Sequence, residues 1–178
     1  TSMRVEEYQG RSLAYLTVTP DGDRTDQPYP AVILLHGFGA NMADLAGLCP
    51  AIDEKRYTYV CPNAPLSVNE DLGNLGYAWT PPGGSPSSKF AQKAETQLDI
   101  LFQELQEQGT LKPGRVILGG FSQGGAMTFR WGLKHPERFR GLAALSGSFR
   151  DAHELEGRLP VDAGQSIFIS HGTADRMI

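Results

Sequence analysis

The sequence predicts an α/β fold: a mainly parallel sheet covered by helices on both faces. Three observations carry that expectation. Short wholly apolar runs such as Ala31-Val32-Ile33-Leu34-Leu35 suit strands buried on both faces. Amphipathic helical stretches alternate with these runs along the chain. Finally, Gly120-Phe121-Ser122-Gln123-Gly124 lies between the apolar run Val116-Ile117-Leu118 and a helix-forming stretch from Ala126 to Lys134. A G-x-S-x-G pattern in that position marks a sharp strand-to-helix turn that exposes the serine hydroxyl above a sheet.

The elements follow in order. Leu13 to Thr19 reads as a strand, with Val5 to Tyr8 as a partner before it. The stretch from Pro20 to Pro30 is rich in turn residues, and Ala31 to Leu35 follows as a buried strand. His36 to Asn41 breaks it. Met42 to Ile52 is predicted helical with a disturbance at Pro50, and Tyr57 to Cys61 is a second buried strand closed by Pro62. Asn63 to Ser88 is predicted as one long irregular segment, since Thr80-Pro81-Pro82-Gly83-Gly84-Ser85-Pro86-Ser87-Ser88 sustains neither helix nor ladder. Loops of that length in compact domains are usually functional, and Tyr77, Trp79 and Leu72 make this one the expected wall of a substrate pocket.

A helix is expected from about Ser88 to Gln108. Phe90, Ala94, Leu98, Leu101, Phe102 and Leu105 form its apolar stripe, Ser87 or Ser88 its cap, and Gly109 its end. Then come a strand at Arg115–Leu118, the serine turn, a helix to about His135, and strands at Gly141–Leu145 and Ser166–Ser170. Most of Phe149 to Pro160, and Val161 to Gln165, read as connecting turns. One domain spanning 1–178 is the economical count for 178 residues.

Composition narrows the function classes. Net charge is −4, and the 16 Lys and Arg are scattered, so the basic stripe that nucleic acid requires is missing from the sequence. No apolar run approaches the roughly 18 residues of a membrane span, so stable membrane insertion is not expected. Thr1-Ser2-Met3-Arg4 has no apolar leader core, which makes the cytoplasm the expected location. The cysteines, Cys49 and Cys61, lack metal-site or redox spacing and are expected as buried free thiols.

Serine is a weak nucleophile, so Ser122 calls for an acid, a base and oxyanion donors. The residue after the nucleophile, Gln123, supplies one donor N–H, and Phe38 in the turn after an early strand supplies the second. His36 abuts the strand and reads as a turn-stabilising residue. Asp175, in His171-Gly172-Thr173-Ala174-Asp175, follows the last strand. It therefore lies at the carboxyl edge where catalytic groups gather, and in the chain order Ser then Asp.

Leu35-His36-Gly37-Phe38-Gly39-Ala40-Asn41, Pro62-Asn63-Ala64-Pro65, Gly119 to Gly125, Leu145-Ser146-Gly147 and His171 to Asp175 together resemble the phospholipase/carboxylesterase family. That family comprises α/β-hydrolases, including acyl-protein thioesterases and small bacterial esterases, and the resemblance runs from about Ala31 to the last residue. It implies a three-layer α/β-hydrolase fold, with Ser122 as nucleophile, Asp175 as triad acid, and the Phe38 and Gln123 amides as oxyanion hole. It also implies small ester substrates and neither metal nor organic cofactor. Two departures stand out. Trp79 is followed by Thr80-Pro81-Pro82 where family members often carry an aromatic-acid pair, and the sequence ends three residues after Asp175.

The family places its triad histidine some thirty residues after the acid, past one more strand. Relative to that pattern, the C-terminal strand, histidine loop and last helix are missing from residues 1–178. His135 at a helix end and His153 in a polar stretch are poor candidates for the base, and His171 in the Asp175 turn resembles a structural residue. Three readings remain. The polypeptide continues past Ile178, a partner segment supplies the base, or the chain is a pseudoenzyme that binds acyl ligands or partners without turnover. The expected activity is a serine carboxylesterase acting on short- to medium-chain esters, with thioesterase or lysophospholipase activity as the alternative.

Overall fold

The computed structural model describes all residues except 1, 23–27, 69–75, 84–88, 151 and 178. Its centre is a seven-stranded sheet of order β1-β2-β4-β3-β7-β8-β9. The strands are β1 (Met3–Gln9), β2 (Ala14–Pro20), β3 (Ala31–Leu35), β4 (Thr58–Pro62), β7 (Val116–Phe121), β8 (Phe139–Leu145) and β9 (Ser166–Ser170). β1 and β2 pair antiparallel, as do β2 and β4, and the remaining pairings are parallel.

The apolar runs fold as expected because they cover two faces. On one face Ile33, Leu35, Val60, Val116, Leu118 and Leu142 pack against Ala94, Leu98, Leu101, Phe102 and Leu105 of α3 (Lys89–Glu107) and Met127 and Trp131 of α4 (Gln123–Gly132). On the other face Val32, Tyr59 and Cys61 pack with Ala46 of α1 (Met42–Ala46) and Cys49 of α2 (Cys49–Ile52). The result is three layers. Both cysteines are free and buried, in agreement with the sequence.

Several boundaries differ from expectation, each for a local reason. The helix expected over Met42 to Ile52 is two short helices, because Pro50 sits in the first turn of α2 and cannot continue α1. Asn41 caps α1 reciprocally with Asp44, a box the sequence reading missed. Phe90 is exposed, and Ala91 takes the buried position at the start of α3. The expected caps Ser87 and Ser88 lie outside the described residues. The stretch Phe149 to Pro160 contains a short helix, α5 (Ala152–Leu155), that buries Leu155.

The segment expected to be wholly irregular holds a hairpin of β5 (Leu66–Val68) and β6 (Gly76–Ala78). It is seated against the turn after β3. Tyr77 exchanges hydrogen bonds with that turn: Gly39 N–H donates to Tyr77 O at 2.9 Å and Tyr77 N–H to Ala40 O at 2.8 Å. A Cβ on Gly76 would overlap the Gly39 carbonyl, so only glycine allows this approach.

At the opposite edge every residue of β9 is exposed, including Ile167, Phe168 and Ile169. Its apolar sequence reads as a buried strand, but among the described residues only β8 pairs with it and no helix covers it.

Candidate active site

The serine turn is built by the strands around it. β7 runs on through Gly119 and Gly120 to Phe121, three residues beyond the expected strand, and α4 begins directly at Gln123. Ser122 between them adopts φ 54° and ψ −115°, a conformation that side-chain-bearing residues rarely hold. Its N–H donates to Leu145 O at the end of β8 at 2.9 Å, and its carbonyl accepts from Ala126 N–H at 3.0 Å. Gly124 is required here: a Cβ would overlap the Leu35 carbonyl, so the first turn of α4 lies directly on the end of β3. The motif glycines thus bring Ser122 against the turn that carries Phe38.

That turn is held by His36, which is buried. Its Nε2 accepts a hydrogen bond from Ala64 N–H at 3.0 Å, so the ring proton lies on Nδ1, which is 2.7 Å from Gly37 O and donates to it. Burial holds the His36 pKa below the ordinary imidazole value, partly opposed by the hydrogen bond to Gly37 and by Asp44. A neutral ring with both nitrogens occupied is a brace, which agrees with the turn-stabilising role expected for it. Among the described residues, neither the Phe38 nor the Gln123 backbone amide has a hydrogen-bond partner. The Gln123 amide belongs to the first turn of α4, where the helix itself leaves N–H groups unpaired and the dipole favours negative charge.

Trp79 differs from its expected place on a pocket wall. It is 0% exposed, its indole N–H donates to His36 O at 2.9 Å, and its ring lies 5.5 Å from the His36 ring. It lies beneath the turn, where its polar N–H finds its partner in the His36 carbonyl. Leu72, the other expected pocket residue, lies outside the described residues. The sequence reading missed the side chain of Gln123, which bonds both Trp79 and Thr80. It also missed Phe121, which is exposed beside Ser122 as Phe38 is across the turn.

Asp175 follows β9 in the turn closed by its own N–H to Gly172 O at 3.1 Å. One carboxylate oxygen accepts from Met177 N–H at 2.9 Å, and the other lies 3.4 Å from His171 Nε2. Ser122 and Asp175 therefore leave the sheet from strands on either side of β8, at the same carboxyl edge. β7 and β9 themselves are two strand spacings apart, about 10 Å.

The other histidines lie elsewhere. His135 follows the far end of α4, about 15 Å along the helix from Ser122, and contacts Glu137 and Asp99. His153 is exposed on α5 and faces Glu156 at 3.9 Å.

Comparison with known proteins decides the family. The model of the phospholipase/carboxylesterase family matches residues 21–178. The chain belongs to the phospholipase/carboxylesterase family. As a member of it, the protein is a carboxylic ester hydrolase with an α/β-hydrolase fold.

The family's acyl-protein thioesterases are among its relatives. Acyl-protein thioesterase 1 of Emericella nidulans is 29% identical over 167 residues, 83% of this chain and 70% of that protein. Acyl-protein thioesterase 1 homolog 2 of Dictyostelium discoideum is 31% identical over 123 residues, 66% of this chain and 54% of that protein. Among solved structures, Arabidopsis thaliana SOBER1 superposes with a TM-score of 0.68 at 25% identity, covering 84% of this chain and 77% of that one. The Bacillus cereus carboxylesterase shares the fold at a TM-score of 0.74 and 18% identity, covering 94% and 74%.

Proposed function

We propose that the protein is a serine carboxylesterase for short- to medium-chain esters. The observation that carries this reading is the strained Ser122 turn, pressed by Gly124 against the β3 turn, with two uncommitted amides beside it. Ser122 Oγ attacks the ester carbonyl carbon as a histidine accepts its proton. The oxyanion that forms is held by the Phe38 and Gln123 amides. Collapse breaks the ester C–O bond, and the alcohol leaves with the proton from the histidine. Water then attacks the acyl-enzyme by the same route and releases the acid and free Ser122.

Asp175 orients the histidine and stabilises its charged form. The histidine is proposed to come from outside residues 1–178. His36 is engaged at both nitrogens, His135 and His153 lie away from the serine turn, and His171 shares the turn of Asp175, which it contacts at 3.4 Å, instead of facing it from a separate loop.

A second reading, hydrolysis of S-acyl groups, is favoured by the relatives named acyl-protein thioesterases and by the exposed apolar side chains of Phe38, Phe121 and Leu145 near Ser122. A chain-length series of nitrophenyl esters, run beside matched acyl thioesters on the full-length polypeptide, separates the two. The esterase reading expects kcat/KM to peak at short or medium acyl chains with oxygen esters preferred. A maximum at long acyl chains with thioesters preferred replaces it with the second reading.

A further inference from the structure

The two proposed oxyanion donors belong to different parts of the chain, and one short segment joins them. Phe38 lies in the turn after β3, and Gln123 opens α4. Tyr77 to Thr80 runs between the two. On the turn side it is fixed by the Gly39 N–H to Tyr77 O bond, the Tyr77 N–H to Ala40 O bond and the Trp79 indole N–H to His36 O bond, all between 2.8 and 2.9 Å. On the helix side it is fixed by one side chain. Gln123 Oε1 accepts from Trp79 N–H at 2.7 Å, and Gln123 Nε2 donates to Thr80 O and Thr80 Oγ1, each at 2.9 Å.

We infer that the Gln123 carboxamide is a positioning group: it locks the Tyr77–Thr80 segment to α4 and so fixes the spacing between the Phe38 and Gln123 amides. This rests on the serine-esterase reading above and adds a second role to Gln123, whose backbone N–H is the proposed donor.

The chemistry at this position is selective. The segment presents one N–H and two oxygen acceptors to a single side-chain tip, so the tip must accept and donate at once. A carboxamide of this length does both. A glutamate at neutral pH offers only acceptors and would set a negative charge against the Thr80 carbonyl. Leucine or methionine would leave the Trp79 N–H and Thr80 O unpaired, and Trp79 and Thr80 are both buried, so water replaces those bonds poorly. Released from α4, the segment stays attached to the β3 turn. The change then appears in the relation between turn and helix, which is the relation of the two donors. A donor displaced by about 1 Å costs on the order of a hundredfold in rate, because an oxyanion hole works by being fixed before charge develops.

The test uses the full-length polypeptide. Wild type must first label at Ser122 with a fluorophosphonate, and absence of that label counts against the parent reading, independently of Gln123. Gln123→Leu and Gln123→Glu keep the backbone amide. Both are expected to lower kcat for a nitrophenyl ester roughly ten- to a hundredfold with KM within about twofold. They are expected to weaken inhibition by a trifluoromethyl ketone, which forms a charged tetrahedral adduct, by the same factor.

Thr80→Val removes only the hydroxyl acceptor, leaves the fold's other bonds in place, and is expected to lower kcat by a smaller factor in the same pattern. It keeps the inference open to test where a Gln123 variant does not fold. Folded variants with kcat and ketone affinity within twofold of wild type, or a Thr80→Val protein indistinguishable from wild type when neither Gln123 variant folds, would overturn the inference. So would an effect confined to KM or to thermal stability.

Discussion

At the residue scale, His36 shows how a buried titratable group beside the serine turn is held by its own hydrogen bonds. Its Nε2 takes the Ala64 N–H and its Nδ1 proton goes to Gly37 O, so the ring must stay neutral to keep both bonds. Its folded-state pKa is depressed below 6.5, chiefly by burial. The depressed side fixes the sign. Above pH 6.5 the ring is neutral in folded and unfolded chains and costs nothing. As pH falls below 6.5 the unfolded chain takes up a proton that the folded chain refuses, and stability is lost down through the folded pKa. Melting temperatures measured from pH 7.5 to pH 5 should therefore fall less steeply in His36→Gln than in wild type, although the variant starts lower. Parallel slopes would mean that His36 is not held neutral.

The serine turn was the most legible local feature of the sequence. Gly120-Phe121-Ser122-Gln123-Gly124 announces a strained turn because its glycines have steric reasons visible in the spacing alone. The inward turn of Trp79 was not legible. Its destination depends on the His36 carbonyl, 43 residues away in sequence. The Gln123 carboxamide was hidden for the same reason, since its partners Trp79 and Thr80 are 43 or more residues away.

At the element scale, strands buried on both faces were readable from apolar runs, and β3 and β4 fall within a residue of expectation. The hairpin of β5 and β6 was not readable. Its strands have three residues each, and its seat depends on Gly76 meeting Gly39 across the sheet edge. The α1–α2 region adds a chemical consequence. Cys49 and Cys61 are both fully buried, on α2 and β4, and contact with Cys49 together with burial pushes the Cys61 thiol well above its usual range. A thiol held protonated and out of solvent is a poor nucleophile. Iodoacetamide should leave both cysteines unmodified in the native protein at pH 8 and alkylate both within the same time in 6 M guanidinium. Rapid native alkylation of Cys61 would show that the α2–β4 packing opens readily.

At the scale of the whole molecule, the sheet order decides which residues share an edge. β7 and β9 flank β8, so Ser122 and Asp175 both follow strands that end at the same edge. The turn after β3 lies on the other side of β7, and a Cβ on its Gly37 would touch Ser122. The chain order, Ser then Asp, was legible in the sequence, but which strands carry the two residues side by side required the strand order. The exposure of the apolar strand β9 was not legible, because an apolar run reports which strands want burial and not what covers them.

The central claim is that Ser122 is the acyl-accepting nucleophile. Treating the full-length polypeptide with a fluorophosphonate and locating the adduct by peptide mass spectrometry tests it most directly. A single adduct is expected on the peptide containing Ser122, lost in Ser122→Ala along with about a millionfold of the esterase kcat. An intact, ester-hydrolysing protein with no adduct, or with the adduct on another residue, would contradict it.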